Sequence, residues 1–317
     1  MSMTLNGGLA ALLFWATSAL ALPYSNLVVF GDSLADSGNN YLATGGAQTA
    51  VPLSGPTVPI YPYASGRYSN GPVWTEYFAT SLGLGLTPSL LGGNNYAFGG
   101  ARVAGASPVP TLQQQVGLYL SANTVSANAL YVIEGGGNDA RDVLDLVLSG
   151  QDPTQRIADY VLGMVDMIGT LAGLGANHFL VWNITDLGLV PAVTAQGAAA
   201  AQGASSVVAT MNFLLTQALA ALPGSVTDDL ILFDAYSGLN AIAANPAAYG
   251  LADVSTACAA DETCDASQAF FWDGVHPTTA GHQIMARLAV VAIPEPASGL
   301  LLGLALLGLA ASRRRLA

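Results

Sequence analysis

Four short stretches of this 317-residue chain carry residue types that together suit acyl transfer to a serine. In the first, Gly31-Asp32-Ser33-Leu34, the serine follows the apolar run Asn26-Leu27-Val28-Val29-Phe30. That run is short and β-branched, as a buried parallel strand is, so Ser33 is expected just past a strand's carboxyl end, where a helix begins. A nucleophile belongs at such a place, although Asp32 and Ser33 would also serve as ordinary helix caps. A serine hydroxyl barely ionises at neutral pH and needs a base. Of the three histidines, His276 lies in the loop Asp273-Gly274-Val275-His276-Pro277, and Asp273 is placed to reach its far ring nitrogen and hold the tautomer that accepts a proton. His178 opens a predicted buried strand and reads as structural, and His282 reads as a surface or packing residue of the last helix. Attack on an ester carbonyl puts negative charge on oxygen, which fixed donors stabilise. The backbone N–H groups of Ser33 and Gly100 and the side-chain amide of Asn138 would supply three, with Gly99 the adjacent alternative to Gly100.

These groups meet only if the segments before them are parallel strands with their carboxyl ends along one edge. Five strand candidates alternate with helical or loop segments: residues 26–30, 95–98, 129–133, 178–182 and 230–233. Helices are predicted over 73–82, 111–120, 153–174, 198–222 and 279–290. The pattern predicts a three-layer α/β/α sandwich on a five-stranded parallel sheet. Residues 41–72 are rich in Gly, Pro and Tyr and predict an irregular wall. Its Tyr41, Tyr61, Tyr63 and Tyr68, with Trp74 and Tyr77 beyond, would line an acyl groove or a sugar platform, or simply pack.

Composition removes several function classes. Charged residues make up only 9% of the chain, the net charge is −12, and all eight basic residues are arginines, three of them at the C-terminus. Five arginines in the body cannot neutralise a row of phosphates, so no nucleic acid is expected. Without lysine there is no Schiff base, no phosphate-loop lysine and no Ser-Lys dyad. Gly135 to Ala140 fits a dinucleotide fingerprint, but it follows the third predicted strand rather than the first, so no cofactor is expected. No G-x-S-x-G elbow occurs.

The two ends read as targeting segments. An apolar stretch closing on Ala19-Leu20-Ala21 predicts a signal peptide over 1–21, though no charged residue precedes it. In an exported chain, Cys258 and Cys264 are expected to form a local disulfide; their spacing does not suit zinc, and no metal is expected. Ile293-Pro294-Glu295-Pro296, an apolar run and Arg313 to Arg315 close the chain. This end resembles the PEP-CTERM sorting signal of Gram-negative bacteria, which implies a sorting protease as partner and removal of residues 293–317. A retained membrane anchor is the alternative. Either way the body, 22–292, lies outside the cytoplasmic membrane: in the periplasm, at the surface or secreted.

Gly31-Asp32-Ser33-Leu34, the glycine closing Asn95 to Gly100, Gly136-Gly137-Asn138-Asp139 and Asp273-Gly274-Val275-His276 resemble, in order, the four blocks of the GDSL lipase/esterase family within the SGNH hydrolases. Gly66-Arg67-Tyr68-Ser69-Asn70-Gly71 and Asp186-Leu187-Gly188 are also similar to family stretches. The resemblance implies the flavodoxin-like SGNH hydrolase fold, Ser33 as nucleophile, His276 as base oriented by Asp273, and Gly100 and Asn138 as oxyanion donors. It implies an esterase or lipase, expected here as a monomer. Acyl esters or lipids, the acetyl groups of an extracellular polysaccharide, and a non-catalytic role binding the surface matrix stay open as readings.

Overall fold

In the computed structural model, residues 24–45, 63–64 and 66–294 are described. The predicted signal peptide, Tyr61 and the segment from Glu295 onward lie outside them.

Four parallel strands form the sheet: β1 Asn26–Phe30, β2 Ala129–Ile133, β3 His178–Trp182 and β4 Leu230–Phe233, side by side in that order. Phe30 is level with Ile133, Ile133 with Val181, and Val181 with Leu232, so the carboxyl ends lie along one edge. Residues 27–30, 129–133 and 179–182 are all buried, as strands covered on both faces must be.

Of the five predicted strands, the second, 95–98, is not formed. Residues 95–98 are held beside β1 by a single bridge, Val29 to Asn95, with N–H donation from Tyr96 to Val29 and from Phe98 to Gly31. Asn95 turns its side chain inward instead, giving its amide to the Ala35 carbonyl and the Ser37 hydroxyl and accepting the Ala97 N–H. With Gly99 and Gly100 immediately after, no extended run remains.

The helices are α1 Asn39–Ala43, α2 Trp74–Ser81, α3 Leu112–Ala122, α4 Gly137–Leu148, α5 Thr154–Gly173, α6 Pro191–Thr194, α7 Ala198–Ala220, α8 Gly224–Thr227, α9 Ala235–Ala244 and α10 Thr279–Ala292. The predicted helices correspond to α2, α3, α5, α7 and α10, while α9 falls in a stretch expected to be irregular. Helices α2, α9 and α10 group on one side, and α3, α4, α5 and α7 on the other. The result is an α/β sandwich of three layers around four strands rather than five. Local chemistry sets the helix starts. Thr111 and Gln114 form a reciprocal capping box at α3, and Thr278 Oγ1 accepts the Gly281 N–H at α10. Trp182 at the end of β3 lies between Trp74 of α2 and Phe233 of β4, with ring centroids 4.0 and 4.5 Å away, which locks the α2 layer to the sheet.

Candidate active site

Ser33 lies one turn beyond β1. No helix begins there, contrary to the sequence expectation: the Asp32 side chain accepts the Leu34 N–H at 3.0 Å and closes a tight turn, and α1 starts only at Asn39. His276 stands 243 residues away in sequence, yet its Nε2 is 2.8 Å from Ser33 Oγ and its Nδ1 is 2.7 Å from Asp273 Oδ2. Asp273 is fully buried, and its Oδ1 accepts the N–H groups of Val275 and His276 at 2.8 and 2.7 Å. Its Oδ2 also accepts the Tyr63 hydroxyl at 2.6 Å. Burial alone would raise this carboxyl; the charge of His276 facing it and these hydrogen bonds outweigh that and bring it down to about 2. An ionised Asp273 requires the proton of His276 on Nδ1, which leaves Nε2 free to accept the serine proton.

The loop that carries His276 is clamped from the other end of the chain. Ser69 Oγ donates to the Pro277 carbonyl at 2.9 Å, Asn70 Oδ1 accepts the Thr279 N–H at 2.7 Å, and the Tyr77 and Thr279 hydroxyls are 2.7 Å apart. Arg67 pairs with Glu76, whose carboxylate also accepts the Val73 N–H at the start of α2. The segment around Tyr68 is therefore structural support for the loop that carries His276. Of the aromatic residues considered as a substrate wall, Tyr63 faces Asp273, Tyr68 packs 5.3 Å from the His276 ring, and Trp74 is wholly buried.

The other edge of the site is built from the stretch after β1. Asp36, buried, accepts the N–H groups of Gly38, Asn39, Asn40 and Gly99. Asn39 donates to the carbonyls of Asn95 and Ala97, and Asn40 to the carbonyl of Gly99. The N–H of Gly99 is thus committed to Asp36, whereas those of Gly100 and Ser33 donate to no described residue. Gly100 has φ +84°, a left-handed conformation that favours glycine, and open space where a Cβ would lie. Asn138, in the first turn of α4, gives its amide to the Ala101 carbonyl at 3.0 Å and, more distantly, to Asp32 Oδ2 at 3.4 Å. Next to it, buried Asp139 accepts the Val103 N–H and pairs with Arg156, tying α4 to the Gly100 segment. Burial pushes the Asp139 carboxyl up to about 6, against the opposing charge of Arg156.

Two carboxyl groups sit beneath this edge. Asp32 and Glu134, the residue after β2, are both buried, and Glu134 Oε2 has no hydrogen-bond partner among the described residues. Burial raises Asp32 to about 6 even with the Leu34 N–H, His276 and Arg141 favouring its charge; burial and then the Asp32 charge hold Glu134 well above the usual range. At neutral pH the pair therefore keeps a proton.

The two remaining histidines are outside this constellation. His178 packs against Tyr24 and lies 3.7 Å from Asp229. His282 is a packing residue rather than a surface one: it is fully buried, and burial followed by the charge of His276 lowers it to about 3. Cys258 and Cys264 are joined in a disulfide. Among the described residues, no group of His, Cys, Asp and Glu is arranged to hold a metal ion.

The model of the GDSL-like lipase/acylhydrolase family matches residues 27–289. The chain belongs to that family. Like the family, it is a serine hydrolase acting on carboxylic esters, an esterase or lipase. A GDSL esterase/lipase of Arabidopsis thaliana is 30% identical over 83% of this chain and 87% of its own length. Lipase 1 of Photorhabdus luminescens is 31% identical over 60% of this chain and 27% of its own. Among solved structures, a member of the lipolytic G-D-S-L family from Veillonella parvula covers 84% of this chain and 96% of its own, with 16% identity and a TM-score of 0.46. A PEP-CTERM protein-sorting motif matches residues 292–315, so this GDSL hydrolase carries an export-linked sorting signal.

The sequence reading of the site missed Tyr63 as a partner of Asp273, Asp36 as the brace of Gly99, and Glu134. Only Glu134 left a trace: a carboxylate directly behind five apolar residues in a chain with few charges.

Proposed function

We propose that Ser33 is the nucleophile of this GDSL hydrolase, His276 its general base and acid, and Asp273 the group that orients and neutralises His276. Ser33 Oγ attacks the ester carbonyl carbon while His276 Nε2 takes its proton. The negative charge passes to the carbonyl oxygen, which the N–H groups of Ser33 and Gly100 receive together with the Asn138 amide, whose long 3.4 Å contact with Asp32 is exchanged for it. Collapse of the tetrahedral intermediate breaks the bond to the alcohol, His276 returns the proton to that oxygen, and Ser33 is left acylated. Water, deprotonated by His276, then attacks the acyl-enzyme, releasing the acid and restoring the serine. No step requires a metal or cofactor.

The observation that carries this reading is the unbroken run of hydrogen bonds from Ser33 through His276 to a buried, ionised Asp273. Gly100 is the better donor than Gly99, because only its N–H is uncommitted. We also infer that the mature body spans residues 22–292 and works beyond the cytoplasmic membrane, with a sorting protease acting on the tail. Every group of the proposed mechanism comes from one chain, in keeping with a monomer. Labelling of the purified protein with a fluorophosphonate, read by intact mass, tests the core assignment. One adduct is expected on the native chain and none on Ser33→Ala of unchanged circular dichroism; an adduct on the variant refutes Ser33.

A further inference from the structure

Between the carboxyl ends of β3 and β4 and helices α9 and α10 lies a half-open apolar pocket. Its walls include Trp182, Phe233, Leu239, Ile242, Phe271 and Met285, all buried, and none of its described lining residues is charged. The half-buried members of the lining include Leu34 and Val275, which directly adjoin the proposed nucleophile and the proposed base.

We propose that this pocket holds the acyl chain of the ester, so that the enzyme favours longer aliphatic acyl groups over acetyl. The inference rests on the reaction assigned to Ser33 and His276 above. Two arguments carry it. A sugar ring placed here would lose water from several hydroxyls and find few partners, since only Thr185 and Trp182 among the described lining residues carry a side-chain hydrogen-bonding group; an alkyl chain loses nothing. The two halves of the ester also have different needs. The alcohol departs after the first step and water must enter where it left, so its side of the serine has to face solvent. The acyl group stays bound through both steps. An apolar recess that begins at Leu34, the residue after the serine, suits the group that stays.

Each methylene buried in such a recess favours binding by about fourfold. Along a series of p-nitrophenyl esters from acetate through butyrate and hexanoate to octanoate, kcat/KM should therefore climb about fourfold per methylene until the recess is full. Along a second series, acetates of alcohols of increasing length, it should change by less than about twofold per methylene, since that chain lies in water. Gly238 on α9 provides the blocking variant. It lines the recess, and a Cβ there meets only Leu288 Cδ1, at 3.7 Å. Leucine also favours the helix more than glycine does, so Gly238→Leu should fold and fill the space. The octanoate-to-acetate ratio of kcat/KM should fall at least about tenfold in this variant. A native enzyme that takes the fluorophosphonate yet prefers acetate, or lengthens its preference along the alcohol series instead, overturns the pocket assignment alone. So does a labelled Gly238→Leu protein with an unchanged ratio. A native enzyme that takes no fluorophosphonate fails at the serine, and both readings fall together.

Discussion

Replacing Asp32 with asparagine should flatten the pH dependence of stability. Asp32 is buried and titrates near 6 in the folded chain, against about 3.9 in an unfolded one. A carboxyl raised on folding contributes stability that is fully present below its unfolded pKa and is lost as pH rises through its folded one. The shift of about 2 units corresponds to about 3 kcal/mol, lost by the native protein between about pH 4 and pH 7. Asparagine keeps an oxygen for the Leu34 N–H, so the turn at Ser33 survives, but it has no proton to lose. Removing the Asp32 charge also lowers Glu134, since that charge is the second cause of its upward shift; this reduces the slope further. The comparison of native and variant isolates the pair, because Asp139, also near 6, is common to both. Urea unfolding at pH 4 and pH 7 measures it: the difference in unfolding free energy between the two pH values should shrink by about 3 kcal/mol or more in Asp32→Asn. Parallel pH profiles for the two proteins would refute the argument that burial raises Asp32.

Asn138→Ala should lower kcat about 100- to 1000-fold with little change in KM, because the amide meets the oxygen fully only when it is charged; a raised KM at unchanged kcat would make Asn138 a binding group instead. Tyr63→Phe removes one of four hydrogen bonds to a buried carboxylate and should cost about 1.5–3 kcal/mol at pH 7 by urea unfolding. The same change lets Asp273 rise from about 2, so the stability that an ionised Asp273 confers should disappear at a higher pH on acidification than in the native protein. Gly99→Ala should reduce both thermal stability and kcat, since the new methyl group would overlap the Tyr68 ring that packs on His276; an unaltered kcat would separate Tyr68 from the base.

The strands were legible where the chain is monotonous. Runs such as Ala129 to Ile133 are unbroken apolar residues, rich in β-branched and aromatic types, too short for a helix and with turn signals behind them. Residues 95–98 looked similar, but Asn95 is the one residue whose side chain competes with the ladder, and four residues cannot absorb that loss. Helix α9 was passed over within the long stretch after β4 that reads as irregular, although its start was readable in Asp234, which accepts the Ser237 N–H. In the site, groups near one another in sequence were readable, as Asp273 and His276 are. The Tyr63 bond to Asp273 spans 210 residues and follows from no local pattern. Glu134 left a trace as a carboxylate directly behind an apolar run, but its burial follows from the Gly31 and Asp32 turn that covers it.

The separation of Ser33 from His276 by 243 residues has a bearing on how the chain reaches its working place. Synthesis and passage across a membrane deliver the serine first and the histidine almost last. If Ser33 and His276 act as proposed, a chain interrupted anywhere before residue 276 presents a serine with nothing to take its proton, however well its first half has folded. On the assignment proposed above, activity therefore belongs only to a body that reaches as far as His276.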